Sequence, residues 1–170
     1  MMPHTFVIFG ASGDLTSRKL VPALYNLMRA GLLPKETKII GFSRTKMSDN
    51  EWRASLREST EKHAGGEPFS PEAWSAFEPI IHYQPGDIES TEDFGKLHQR
   101  ICSLEGGNPT PRVYYLATAP RFYTPAIAAL GNLSMASEDH GARRIVIEKP
   151  FGTDLATAQA LNNYIHTVFD

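Results

Sequence analysis

The chain has 170 residues, 41% hydrophobic and 21% charged, with a formal net charge of -2. That length fits one domain with a substantial core, and the near-neutral charge gives no electrostatic footing for nucleic acid or an anionic membrane as partner. The single Cys102 cannot close an internal disulfide, and no signal peptide or membrane-length apolar run opens the chain, so a cytoplasmic setting is expected.

Thr5 to Phe9 is an apolar run that stops at Gly10-Ala11-Ser12-Gly13-Asp14-Leu15. Leu15, Leu20, Leu24, Leu27 and Met28 then recur at helical spacing until Gly31 and Pro34, which predicts a helix of roughly four turns. Thr37 to Phe42 reads as a second strand and completes a βαβ unit. Ser48-Asp49-Asn50-Glu51 has capping-box spacing and opens a helix through Trp52 and Leu56 toward Lys62. Ser70-Pro71 starts a short helix carrying Trp74 and Phe77, ahead of a strand from Ile80 to Tyr83. A helix from Thr91 through Leu104, a strand from Val113 to Ala117, a helix from about Phe122 to Leu133, a strand from Arg144 to Glu148 and a helix from about Asp154 to Phe169 follow. The alternation predicts an α/β, Rossmann-like, doubly wound parallel sheet with strand order 3-2-1-4-5 and helices on both faces. Residues 1–170 read as one dinucleotide-binding domain.

Such sheets bind dinucleotides at the carboxyl ends of their strands. Gly10 can make the tight turn out of the first strand, and Gly13 lets the backbone approach a pyrophosphate at the helix start, where free amides favour anions. The spacing is G-x-x-G rather than G-x-G-x-x-G, and it also suits a plain strand-to-helix turn capped by Ser12 or Asp14. Capping or fixing the turn is the expected role of the Asp14 carboxylate, since a phosphate would repel it. After the second strand come Ser43-Arg44-Thr45-Lys46, with no acid to bind ribose hydroxyls. A guanidinium there suits a 2′-phosphate, so NADP is favoured with NAD possible, although a solvated basic loop has the same composition. Asp87 and Ile88 can wall an adenine or form a turn. Ala117-Thr118-Ala119-Pro120, at the end of the fourth strand, supplies small residues over which a cofactor can pass, or a simple loop. Lys149 follows the fifth strand, where an ammonium can meet an anion or a sugar hydroxyl. The six histidines show no metal-ligand spacing, and no metal site is expected.

Phe9 to Leu15 with Lys19-Leu20, Gly31-Leu32-Leu33-Pro34, Gly41 to Arg44, Tyr115-Leu116-Ala117 and Ile147 to Gly152 together resemble the amino-terminal coenzyme domain of glucose-6-phosphate dehydrogenase. That family oxidises glucose 6-phosphate to 6-phosphogluconolactone in the pentose phosphate pathway, passing hydride to NADP or NAD. The resemblance implies a phosphate-binding turn at Gly10, Ala11, Ser12, Gly13, Asp14 and Leu15, and a 2′-phosphate clamp at Arg44 beside Ser43. It also implies an adenosine contact at Asp87 and Ile88, contacts of Lys149 with cofactor and sugar phosphate, and a substrate role for Lys19. Pro150 matches a proline that the family often holds in cis. The family often has two prolines after its Tyr-Leu-Ala segment, where this chain reads Thr118-Ala119-Pro120.

The family's substrate-phosphate motif, R-I-D-H-Y-L-G-K-E, and its catalytic histidine belong to a second domain absent from this chain. The resemblance thus places the general base beyond Asp170, and no catalytic residue is expected within the chain. The expectation is therefore a chain that holds NADP, meets glucose 6-phosphate only together with that domain, and is inactive alone. The resemblance also implies homo-oligomers, and a domain without its companion is expected to expose apolar surface. A stand-alone NADP-binding or regulatory module and another Rossmann sugar oxidoreductase are the alternatives. No tyrosine here has a lysine four places on, which counts against a short-chain reductase.

Overall fold

The computed structural model describes residues 2–169. Asp170, the position past which the resemblance places the general base, lies outside the described residues. The strands are β1 (Thr5–Phe9), β2 (Lys38–Ser43), β3 (Ile81–Pro85), β4 (Arg112–Leu116) and β5 (Arg143–Ile147). They form one parallel sheet in the order β3-β2-β1-β4-β5, as the alternation predicts. The helices are α1 (Val21–Arg29), α2 (Asp49–His63), α3 (Pro71–Phe77), α4 (Thr91–Glu105), α5 (Tyr123–Asn132) and α6 (Leu155–Ile165).

Side-chain alternation along the strands sorts the core into two layers. Val7, Phe9, Ile40, Phe42, Tyr114 and Leu116 point to one face, where residues of α4, α5 and α6 cover them. Ile8, Ile39 and Ile81 point to the other, under Val21 and Tyr25 of α1, Trp52 and Leu56 of α2, and Trp74 and Phe77 of α3. On the exposed side of β5, Val146 is 37% accessible and Arg144 lies open beside it. No helix among the described residues is long and apolar enough to cross a membrane.

The helix ends follow local chemistry. Ser48 caps α2 through a complete capping box with Glu51, Ser70 caps α3, and Asp154 caps α6. Leu32 N–H donates to Leu27 O and Gly31 N–H to Met28 O, a Schellman closure of α1 with Gly31 at φ +69°. Two expectations need correction. The first helix is not uniformly α: Thr16–Leu20 is π-helical, so its turn takes one extra residue before α1 begins. The last helix stops at Ile165 rather than near Phe169, because the chain tightens there, with Val168 and Phe169 amides both donating to Ile165 O.

The free edge of β3 is closed by α2. Asp49 Oδ1 accepts the Tyr83 amide at 2.8 Å, and Arg53 Nη2 donates to Ile81 O at 2.6 Å. These contacts satisfy ladder groups that would otherwise offer a pairing edge.

Candidate functional site

β1 leaves the sheet between β2 and β4, at the point where the strand order reverses. Gly10 has φ +82°, and its amide and that of Ala11 both donate to Phe42 O, at 3.0 and 3.3 Å. Gly10 O in turn accepts Gly13 N–H at 3.0 Å and the Thr16 hydroxyl at 3.1 Å. Ala11 O accepts the Trp52 indole N–H at 3.2 Å. Trp52 can reach it because Gly41 carries no side chain: a Cβ on Gly41 would lie 2.6 Å from Trp52 Cζ2 and 2.7 Å from Ala11 Cβ. Trp52, whose helical position reads from sequence as core or domain contact, is core and also an anchor of the turn.

The turn opens into a cleft of about 490 Å³ bounded by Gly10, Ser12, Gly13, Arg44, Asp87 and Thr118 among others, a volume within the range of small-molecule sites. Ser12 and Gly13 are exposed on its floor. No side chain caps the helix start; the Asp14 carboxylate instead makes an exposed 3.8 Å ion pair with Arg18, which corrects the capping expectation. Leu15 is half-buried against the helix.

Beyond β2, Tyr83 fixes the loop. Its hydroxyl donates to Thr45 O at 2.6 Å and lies 2.6 Å from the Ser43 hydroxyl, leaving the latter to donate to it. Burial pushes the Tyr83 hydroxyl above its usual pKa, so it stays a donor. Arg44 is exposed and forms no ion pair among the described residues. It shares a wider groove with Lys46, Glu51, Asp87 and Asp93, but each of those carboxylates has another partner. Glu51 closes the α2 box, Asp93 accepts the Asp87 amide at 2.9 Å, and Asp87 accepts the Glu89 amide at 2.9 Å. Asp87 is thus a turn residue that also lines the cleft, and Ile88 is 9% exposed, joining the core from the cleft wall.

At the far end of the edge, β4 separates β5 from β1, so Lys149 is not beside the Gly10 turn. Lys149 is exposed, its bond to Pro150 is cis, and it lies outside the residues that bound the cleft. The preceding Glu148 is held on two sides: its carboxylate accepts the Tyr115 hydroxyl and its carbonyl accepts the Tyr123 hydroxyl at 3.3 Å. Burial and the Glu148 carboxylate together push the Tyr115 hydroxyl up to about 12. Lys19 is exposed within the π-helical turn and also lies outside the cleft wall. Tyr83, Tyr115 and Tyr123 organise this edge, and sequence reasoning gave none of them a site role, although Tyr115 belongs to a segment that carries the family resemblance. Otherwise their only trace was a tyrosine on a strand or at a helix start, positions that usually serve packing.

The sequence model described as "Glucose-6-phosphate dehydrogenase, NAD binding domain" matches residues 7–170. Glucose-6-phosphate 1-dehydrogenase of Aggregatibacter actinomycetemcomitans is 38% identical over 166 residues, covering 96% of this chain and 33% of that protein. The enzyme of Treponema pallidum is 39% identical over 169 residues, covering 98% and 33%. A solved glucose-6-phosphate dehydrogenase in complex with its substrate glucose-6-phosphate superposes with a TM-score of 0.85 at 31% identity, covering 99% of this chain and 35% of that one. The chain spans about a third of the length of the curated relatives it matches. With the domain model matched nearly end to end and the strand order shared, this chain belongs to the glucose-6-phosphate dehydrogenase family, within its NAD binding domain.

Proposed function

We propose that this chain binds NADP, with NAD as the weaker ligand, and serves as the coenzyme domain of an enzyme that oxidises glucose 6-phosphate to 6-phosphogluconolactone. The observation that carries the coenzyme choice is Arg44, exposed at the end of β2 with no ion-pair partner among the described residues and nearby carboxylates already engaged. A guanidinium so placed can clamp a 2′-phosphate with two charge-assisted hydrogen bonds. The Gly10 and Gly13 turn leaves room for the pyrophosphate, and Asp87 with Ile88 borders the adenosine end. When bound, the nicotinamide supplies the hydride acceptor.

Replacing Arg44 with Ala is expected to weaken NADP binding about 10- to 100-fold by titration calorimetry while changing NAD binding less than about twofold. Equal losses for both ligands would remove Arg44 from the 2′-phosphate site.

Lys149 and Lys19 are assigned to the sugar phosphate, with Glu148 steadying the loop that carries Lys149. Taking hydride from a hydroxyl also requires a base for its proton. No histidine lines the cleft. These residues alone are expected to bind coenzyme without forming NADPH from glucose 6-phosphate, measured as absorbance at the reduced nicotinamide band. Steady turnover by the purified chain would overturn that division of labour.

A further inference from the structure

The Arg44 side chain is exposed and has no ion-pair partner among the described residues. With no carboxylate to orient it, the guanidinium is placed by the backbone on either side, at Ser43 and Thr45. One side chain holds both of those residues. Tyr83 stands opposite Gly41 where β3 pairs with β2, yet its hydroxyl reaches forward to Ser43 and Thr45. It donates to Thr45 O at 2.6 Å and lies 2.6 Å from Ser43 Oγ, which donates to it. Among the described residues the hydroxyl meets only these two, the residues that flank Arg44.

The phenol is itself firmly held. Trp52 packs on its ring, with centroids 5.3 Å apart and planes at 51°. The Tyr83 amide donates to Asp49 Oδ1 at 2.8 Å, and Arg100 Nη2 fixes the other carboxylate oxygen of Asp49 at 2.8 Å. Since the Trp52 indole also donates to Ala11 O, one packed pair of rings carries both the glycine turn and the Arg44 loop. Phenylalanine would fill the same space against Trp52. What tyrosine adds is the hydroxyl, and the hydroxyl serves only the Arg44 loop.

We propose that Tyr83 is a positioning residue for coenzyme choice, its hydroxyl holding the backbone from Ser43 to Thr45 so that Arg44 is presented to a 2′-phosphate. This rests on the NADP reading above and extends it to a residue that borders neither the cleft nor the wider groove beside it. A loop ordered in advance loses less freedom when the ligand arrives, and that gain reaches only a ligand that uses Arg44.

The test titrates NADP and NAD by calorimetry into the parent chain, Tyr83→Phe, Arg44→Ala and the double variant. Tyr83→Phe is expected to bind NADP about three- to tenfold more weakly and NAD within about twofold of the parent. In the Arg44→Ala background the same change is expected to move NADP affinity less than about twofold, because no guanidinium remains to be positioned. Unchanged NADP affinity in Tyr83→Phe overturns the proposal. So does an equal loss for NADP and NAD, or a loss that is as large in the Arg44→Ala background as in the parent, since either makes the hydroxyl a general support of the fold. Tyr83→Met also lacks the hydroxyl and packs on Trp52 through a flexible side chain; it carries the same expectations should Tyr83→Phe not fold. A parent chain that binds neither coenzyme removes the NADP reading and this inference with it. A parent chain that prefers NADP through Arg44, while Tyr83→Phe keeps that preference, removes this inference alone.

Discussion

Replacing Glu105 with Ala is expected to lower the stability of the chain by about 3–5 kcal/mol. Glu105 is the last residue of α4 and lies under the amino-terminal edge of the sheet, opposite the cleft. Its carboxylate grips Arg112 with both oxygens, at 2.9 and 2.6 Å, and accepts the Thr5 hydroxyl at 2.8 Å. The side chains of the pair are 5% and 7% exposed, so solvent screens them little. Burial opposes the Arg112 charge, yet hydrogen bonding to Glu105 and the further favourable interactions with Tyr114 and Glu105 together outweigh it and hold the guanidinium above its usual pKa. Remove the carboxylate and a buried cation stands alone. For a domain of this length that loss corresponds to a melting temperature lower by on the order of 10 °C, read by calorimetry. A combined Thr5→Val, Glu105→Leu, Arg112→Met chain is expected to recover most of the loss, because removing the whole buried network leaves no orphan charge. If Glu105→Ala melts within a degree or two of the parent, the cluster does not hold α4 to the sheet.

None of that network was legible in the sequence. Glu105 precedes Gly106-Gly107 and Arg112 follows Pro109 and Pro111, so both read as charges at a solvated loop. Only the register, which aligns Thr5 with Arg112 and Arg112 with Arg143 as the first residues of their strands, brings them under the sheet together. What the sequence did reveal was local chemistry repeated at short range. Thr5 to Phe9 is a strand with the bounds its apolar run suggests, and the Ser48 and Glu51 box opens α2 where the spacing puts it. The glycine turn, the basic exit of β2 and the adenosine-side loop all end up around one cleft, because parallel strands deliver their carboxyl ends to the same edge. Lys149 and Lys19 stay outside the cleft wall: Lys149 because β4 lies between β1 and β5, and Lys19 because it sits further along the helical turn that leaves the glycine segment. The π-helical turn left one trace, the five-residue step from Leu15 to Leu20, which a helical pattern absorbs too easily. The Gly41 opening that admits Trp52 to the turn left none, since it joins residues on two different elements.

Replacing Gly10 with Ala is expected to cost about 2–5 kcal/mol and to weaken NADP binding at least about tenfold, and the comparison with Gly31→Ala separates the causes. Both glycines hold left-handed backbone, at φ +82° and +69°. At Gly31 a Cβ would meet nothing within 4 Å, so alanine there carries only the conformational cost, about 1–2 kcal/mol, and affinity should not change. At Gly10 the same Cβ would run into the Ala117 carbonyl, with the carbonyl carbon 2.8 Å away. That backbone cannot recede, because the Ala117 amide is itself bonded to Phe9 O at 2.9 Å. The strain must therefore be relieved by moving the turn, and the turn is tied to β2 through Phe42 O and to the helix start through Thr16. Any shift carries Ser12 and Gly13, the cleft floor, away from where the pyrophosphate is proposed to lie. Chemical denaturation and NADP titration of both variants provide the measurement. Equal destabilisation with equal affinity would mean that Gly10 serves only its backbone angle; loss of affinity confined to Gly10→Ala would mean that close approach of β1 to β4 shapes the phosphate end of the site.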